Sequence, residues 1–195
     1  MLILCSDGLT SQDLLSQTKT IIKGCKTAAL VVTADNIYKE NNYHVPRCIQ
    51  ELETLGLAVD IFDLDHQEAE LLKRYDVVEF IGGNLYYLLH AIRAANCRET
   101  LRYLATKKIL IGWSAAAFVF GPTLALVDRY TPNMNIWGLT DLSGLSLTEQ
   151  VVLPHYSKFI TKFHGFEEIC QQFETENHIE VVRLNDGEGI LIDCC

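Results

Sequence analysis

Positive charge is in short supply in this chain. Its 195 residues carry 16 Lys and Arg against 25 Asp and Glu, for a formal net charge of −9. Nucleic acid and anionic membrane surfaces both demand clustered Lys and Arg, so neither partner is expected. Paired cysteine spacing is missing too. The seven cysteines (Cys5, Cys25, Cys48, Cys97, Cys170, Cys194 and Cys195) are odd in number, scattered, and contain no C-x-x-C. That excludes a disulfide framework and a zinc pattern, and reads as reduced thiols in a cytoplasmic protein, with Cys194 and Cys195 exposed. No basic segment followed by an apolar one opens the chain, so no secretory signal is expected. No repeat, low-complexity stretch or linker divides it, and the length suits one domain over residues 1–195. With 49% hydrophobic and 21% charged residues, global disorder is excluded. One uncharged stretch, residues 109–127, approaches the ~20 residues of a membrane span. Gly112, Ser114, Gly121, Pro122 and Thr123 interrupt it. It reads instead as a buried strand, a tight turn and a short buried helix.

Apolar strands alternate with amphipathic helices along most of the chain. Strands are expected at 2–5, 28–33, 59–64, 77–81 and 108–112. Helices are expected at 11–23, 45–55, 66–74, 84–95, 98–106 and 115–120. Such alternation predicts βαβ units and a parallel sheet, and hence an α/β three-layer sandwich. Beyond residue 120 the pattern loosens. Strands are expected at 124–127 and 149–153, a helix at 159–173, and a terminal hairpin pairing 179–184 with 189–193 across Asn185–Glu188.

In open parallel sheets the chemistry gathers at the carboxyl ends of strands. Three polar features fall there. The first is Gly112-Trp113-Ser114-Ala115-Ala116, a serine on a sharp strand-to-helix turn whose flanking positions are small, as a nucleophile elbow requires. Such a turn exposes the Ser114 hydroxyl and aims the Ala115 N–H at an oxyanion. The same pattern also describes a plain helix cap. The second is Ile81-Gly82-Gly83-Asn84, where glycine lets the backbone approach closely and Asn84 begins a helix. The third is Pro154-His155-Tyr156 after the strand at 149–153, which offers a base. A carboxylate is then needed to orient His155: Asp128 closes the strand expected at 124–127, and Asp141 competes with it.

Together these motifs resemble the dipeptidase E family of serine peptidases, the aspartyl dipeptidases related to cyanophycinases: G-G-N at 82–84, I-G-W-S-A-x-A at 111–117, P-T at Pro122-Thr123 and P-H at Pro154-His155. The resemblance implies a class I glutamine amidotransferase-like (flavodoxin-like) fold and hydrolysis of short peptides, Asp-X dipeptides above all, through an acyl-enzyme. It implies Ser114 as nucleophile, His155 as base, Asp128 as acid, and an oxyanion hole at Gly83 and Ala115. Asn84, Lys158 and Lys162 fall where substrate is bound, and no metal or cofactor is implied. The expected partner is a small peptide, and a homodimer is left open. Four departures stand out. Ala116 replaces a glycine of the elbow, and Ile81 replaces the first glycine of the turn. The segment between Pro122 and Asp128 is one residue short, and the stretch after His155 has lysines where the family has arginine. An arginine fork is not reproduced by lysine. An acidic chain taking acidic peptides needs local positive potential, for which Lys158, Lys162 and Arg129 are the candidates. An esterase or amidase using the same triad, a catalytically impaired binding relative, and a flavodoxin-like module built on Ser6–Thr10 are the alternatives.

Overall fold

Strand side chains alternate between two apolar cores, and that alternation makes the layers. The computed structural model describes residues 1–194. In β1 (Leu2–Cys5), Leu2 and Leu4 enter one core while Ile3 and Cys5 enter the other. In β5 (Ile109–Trp113), Leu110 joins the first core and Ile109, Ile111 and Trp113 join the second. Because both faces are buried, these strands read as unbroken apolar runs rather than as an apolar–polar alternation.

With β2 (Thr27–Val31), β3 (Ala58–Phe62), β4 (Val77–Phe80) and β8 (Gly189–Ile192), they form one sheet in the order β3-β2-β4-β5-β1-β8. All pairings are parallel except β1 with β8. Helices α1 (Gln12–Ile21) and α2 (Val45–Thr54) cover one face through Leu14, Val45, Cys48 and Leu52. Helices α3 (Leu85–Ala94), α4 (Arg98–Lys107) and α5 (Ala115–Phe120) cover the other. The result is the three-layer α/β sandwich with a mostly parallel sheet. No helix among the described residues is long and apolar enough to cross a membrane; residues 109–127 divide into β5, α5 and the start of a helical turn.

Beyond α5 the structure corrects several expectations. Residues 124–127 form no strand. The Thr123 hydroxyl accepts the Ala125 N–H at 3.1 Å, which starts the helical turn α6 (Ala125–Asp128) instead. The helix expected at 66–74 is a 3₁₀ turn at Ala69–Arg74. The helix expected at 159–173 is two helices, α7 (Tyr156–Lys162) and α8 (Phe166–Asn177), separated at Gly165, whose φ of 69° belongs to the left-handed region. The terminal hairpin does not form. β7 (Val181–Arg183) pairs in parallel with β6 (Val151–Leu153), while β8 runs on to pair with the edge of β1. That antiparallel ladder covers the otherwise open edge of β1. Cys194 is half-buried rather than exposed, its thiol toward the Leu147 carbonyl; Cys195 lies outside the described residues.

Candidate active site

The carboxyl ends of β4, β5 and β1 lie side by side, with Phe80 in register with Gly112 and Cys5 with Trp113. The next residues of each strand therefore meet at one edge: Gly82 and Gly83, Ser114, and Ser6. Ser114 has φ 53° and ψ −112°, a backbone conformation that a side-chain-bearing residue adopts only under constraint. This is the sharp turn the sequence pattern predicts. A β-carbon on Gly112 would come 2.6 Å from the Phe120 ring and 3.2 Å from the Ala116 β-carbon, which explains the small residues on both sides of the serine. Gly82 is equally forced: its added β-carbon would sit 2.8 Å from that of Ser114. Ala115 opens α5, so its N–H has no intrahelical acceptor. Gly83 N–H donates to no backbone carbonyl among the described residues. Both residues line a cavity beside Ser114.

His155 is brought in from the opposite side. It begins α7 in the left-handed conformation, φ 56°, and its N–H donates to the Ser6 hydroxyl oxygen at 2.9 Å. Its Nε2 lies 3.0 Å from Ser114 Oγ. Its Nδ1 lies 2.6 Å from Oδ1 of Asp186. A carboxylate at Nδ1 holds the proton there, which leaves Nε2 free to accept the Ser114 hydroxyl proton.

Asp186 was not among the expected acids. Asp128, at the end of α6, instead accepts a 3.1 Å hydrogen bond from the Tyr86 hydroxyl, and Asp141 pairs with Arg93 at 3.0 Å. The expectation for Asp128 rested on a strand that does not exist; the helical turn carries the carboxylate to Tyr86 instead. Asp186 sits in the turn between β7 and β8. That turn is tied down by Tyr156 N–H to the Leu184 carbonyl, Ser6 N–H to the Glu188 carbonyl, and Gly187 N–H to Asp7. Ser6 Oγ donates to Asp186 at 2.9 Å, and Lys158 Nζ reaches its other oxygen at 2.5 Å. Burial alone raises this carboxyl, but the hydrogen bonds from Lys158, His155 and Ser6 outweigh it and hold the group at about 2. Asp186 is thus ionised throughout the working range of any such site. Ser6 and Asp186 escaped the sequence reading because both occupy ordinary turns, where Ser and Asp are common for purely local reasons.

The remaining expected residues separate. Asn84 is a helix cap: its carbonyl accepts from Tyr86 and Tyr87 N–H, and its amide donates to the Met134 carbonyl. Lys158 is engaged with Asp186. Lys162 stands at the rim of the cavity beside Ser114, 5.2 Å from the Phe163 ring centroid. Arg129 is paired with Glu176 at 2.6 Å.

Behind Trp113 lies a second polar group of residues. Glu79, fully buried on β4, accepts from Trp113 Nε1 at 3.0 Å, and its other oxygen has no hydrogen-bond partner at ordinary distance. Burial pushes its carboxyl up to about 8. Cys48 and Glu51 bring their ligand atoms within 4.8 Å of those of Glu79. The group does not suit a metal. Arg47 and the Leu9 N–H already occupy Glu51, and burial pushes the Cys48 thiol up, so the thiol and Glu79 keep the protons that a cation would have to displace.

Comparison with known proteins agrees with this fold. The profile of peptidase family S51 matches residues 2–193. An uncharacterized peptidase of Listeria monocytogenes serovar 1/2a is 27% identical over 174 residues, covering 86% of this chain and 82% of the relative. An uncharacterized peptidase of Pasteurella multocida is 25% identical over 139 residues, covering 69% and 67%. A 1.5 Å crystal structure of a peptidase E protein from Listeria monocytogenes EGD-e superposes with a TM-score of 0.77 at 26% identity, covering 98% of this chain and 93% of that one. A peptidase from an acI-B1 actinobacterium, at 20% identity and a TM-score of 0.62 over 86% and 73%, shares the fold. The chain belongs to peptidase family S51, the dipeptidase E family of serine peptidases.

Proposed function

We propose that the protein hydrolyses short peptides through an acyl-enzyme on Ser114, with His155 as the general base and Asp186 as the residue that orients it. The observation that carries this reading is the continuous chain from Ser114 Oγ to His155 Nε2 at 3.0 Å and from His155 Nδ1 to Asp186 at 2.6 Å. His155 takes the hydroxyl proton as Ser114 attacks the scissile carbonyl. The oxyanion forms against the N–H groups of Ala115 and Gly83, each such donor contributing about 3 kcal/mol in comparable sites. His155 then returns the proton to the leaving amine, and water, deprotonated by the same imidazole, releases the acyl group. The completed triad favours this reading over a catalytically impaired binding protein. The flavodoxin-like alternative loses its loop, because Ser6 is spent on His155 and Asp186. Six described cysteines are free thiols, as befits a protein working in the reducing cytoplasm.

The Asp-X substrate expected from the resemblance finds one arginine beside Ser114, Arg47 in the wall of a cavity there, and no unpaired one. Arg47 is held by Glu51, Arg129 by Glu176, and Arg183 by Glu167 and Glu174. Ser114→Ala is expected to abolish dipeptide hydrolysis with circular dichroism and melting temperature unchanged. Turnover surviving in that variant rejects the nucleophile. A wild-type protein that cleaves p-nitrophenyl esters but no dipeptide is an esterase on the same triad.

A further inference from the structure

Ser114 stands between two cavities of opposite character. One, of about 620 Å³, has Asp7, His44, Arg47 and Lys158 in its walls. The other, of about 190 Å³, is walled by Phe118, Val127, Tyr130, Met134 and Phe163. Its aromatic wall is preformed: the Tyr130 ring centroid lies 5.2 Å from that of Phe163 and 4.8 Å from that of Phe166. An apolar cavity of roughly 150 Å³ accepts a benzene molecule, so this one has room for a side chain of that size.

Gly83 and Ala115, whose N–H groups face the oxyanion, line the apolar cavity as well. A carbonyl oxygen held between those two donors leaves its carbon, with the acyl Cα on one side and the leaving nitrogen on the other, between the two cavities that meet at Gly83 and Ser114. The one cation lining this cavity is Lys162, which is exposed and sits over the edge formed by Phe163. A carboxylate carried inside would lose its hydration against mostly rings and methyl groups. Beyond Ser114 and His155, the polar groups in the wall are the Tyr130 and Thr131 hydroxyls and the rim Lys162, with no guanidinium to pair with it.

We propose that this cavity is the specificity pocket for the acyl residue and selects an apolar or aromatic side chain there, such as Phe, Leu or Met, in place of aspartate. The proposal rests on Ser114 being the nucleophile. The polar cavity then takes the charged ends of the peptide.

The test uses a fluorophosphonate that labels the active serine and two boronic acids that compete for it. One is the analogue of phenylalanine and the other the analogue of aspartate. Ser114 is expected to be labelled, and the benzyl compound to protect it at a concentration on the order of a hundredfold lower than the carboxymethyl compound, a ratio typical of matched against mismatched pockets. Met134→Arg, at an exposed position on the cavity wall, is expected to shrink that ratio by favouring the carboxymethyl compound. Labelling with equal protection by both compounds, or better protection by the aspartate analogue, overturns the pocket assignment alone. Failure of Ser114 to label overturns the nucleophile and the pocket together.

Discussion

Asp186 holds its charge because three donors converge on it, and the same convergence fixes the imidazole. Replacing it by Asn removes the negative charge and lets an amide N–H face Nδ1, so the His155 proton is no longer held there. Asp186→Asn is expected to lower kcat by about 10⁴-fold, the cost seen when a triad acid becomes an amide. Asp128→Asn is expected to leave kcat near wild type, since its partner is Tyr86. Steady-state kinetics on both variants distinguishes the two carboxylates. Since Asp186 titrates at about 2 in the fold against an ordinary 3.8, its contribution to stability is complete above pH 3.8 and is lost only as pH falls through 2. Glu79 works in the opposite direction. Protonated up to about pH 8 in the fold but ionising near 4.5 when unfolded, it makes stability decline as pH rises between those values. Glu79→Gln keeps an acceptor for Trp113 and carries no charge. It is expected to flatten that decline and to gain roughly 1–3 kcal/mol at pH 7.5, with little change at pH 4.5, as measured by urea denaturation.

The turns at the ends of β4 and β5 owe their shape to contacts no larger residue permits. A β-carbon on Gly83 would stand 2.3 Å from the Ala34 carbonyl oxygen. Gly83→Ala must therefore move the turn that presents an oxyanion donor. It is expected to lower kcat/KM at least as far as loss of one such donor, about 10²-fold, and to lower the melting temperature by several degrees. Kinetics and thermal unfolding of the variant check both. These elements were legible in the sequence because their signals are local: apolar runs bounded by glycine for β4 and β5, and small residues around Ser114 for the elbow. The acid was not. Asn185–Glu188 has the composition of any turn, and only the docking of β8 on β1 carries it to His155. The mistaken strand at 124–127 has the same origin. Leu124, Leu126 and Val127 are apolar because they are buried, and four residues are too few for periodicity to separate a strand from a helical turn.

At the scale of the molecule, the deficit of positive charge is matched by its deployment. Lys39, Arg47, Arg93, Arg129, Lys158 and Arg183 are all engaged with carboxylates. Arg47 and Lys158, the cations lining the polar cavity beside Ser114, belong to that engaged set. The hydrogen bond from Ser6 to Asp186 joins residues 180 positions apart, and that from His155 to Ser6 spans 149. Contacts so distant along the chain are slow to form, because closing them costs entropy before anything is gained. The helices and the β4–β5 pairing involve much shorter separations. Peptidase activity is therefore a late reporter of folding. In refolding from urea, far-ultraviolet circular dichroism is expected to recover before turnover does, and a newly made chain remains harmless to neighbouring peptides until its last strand has closed onto its first.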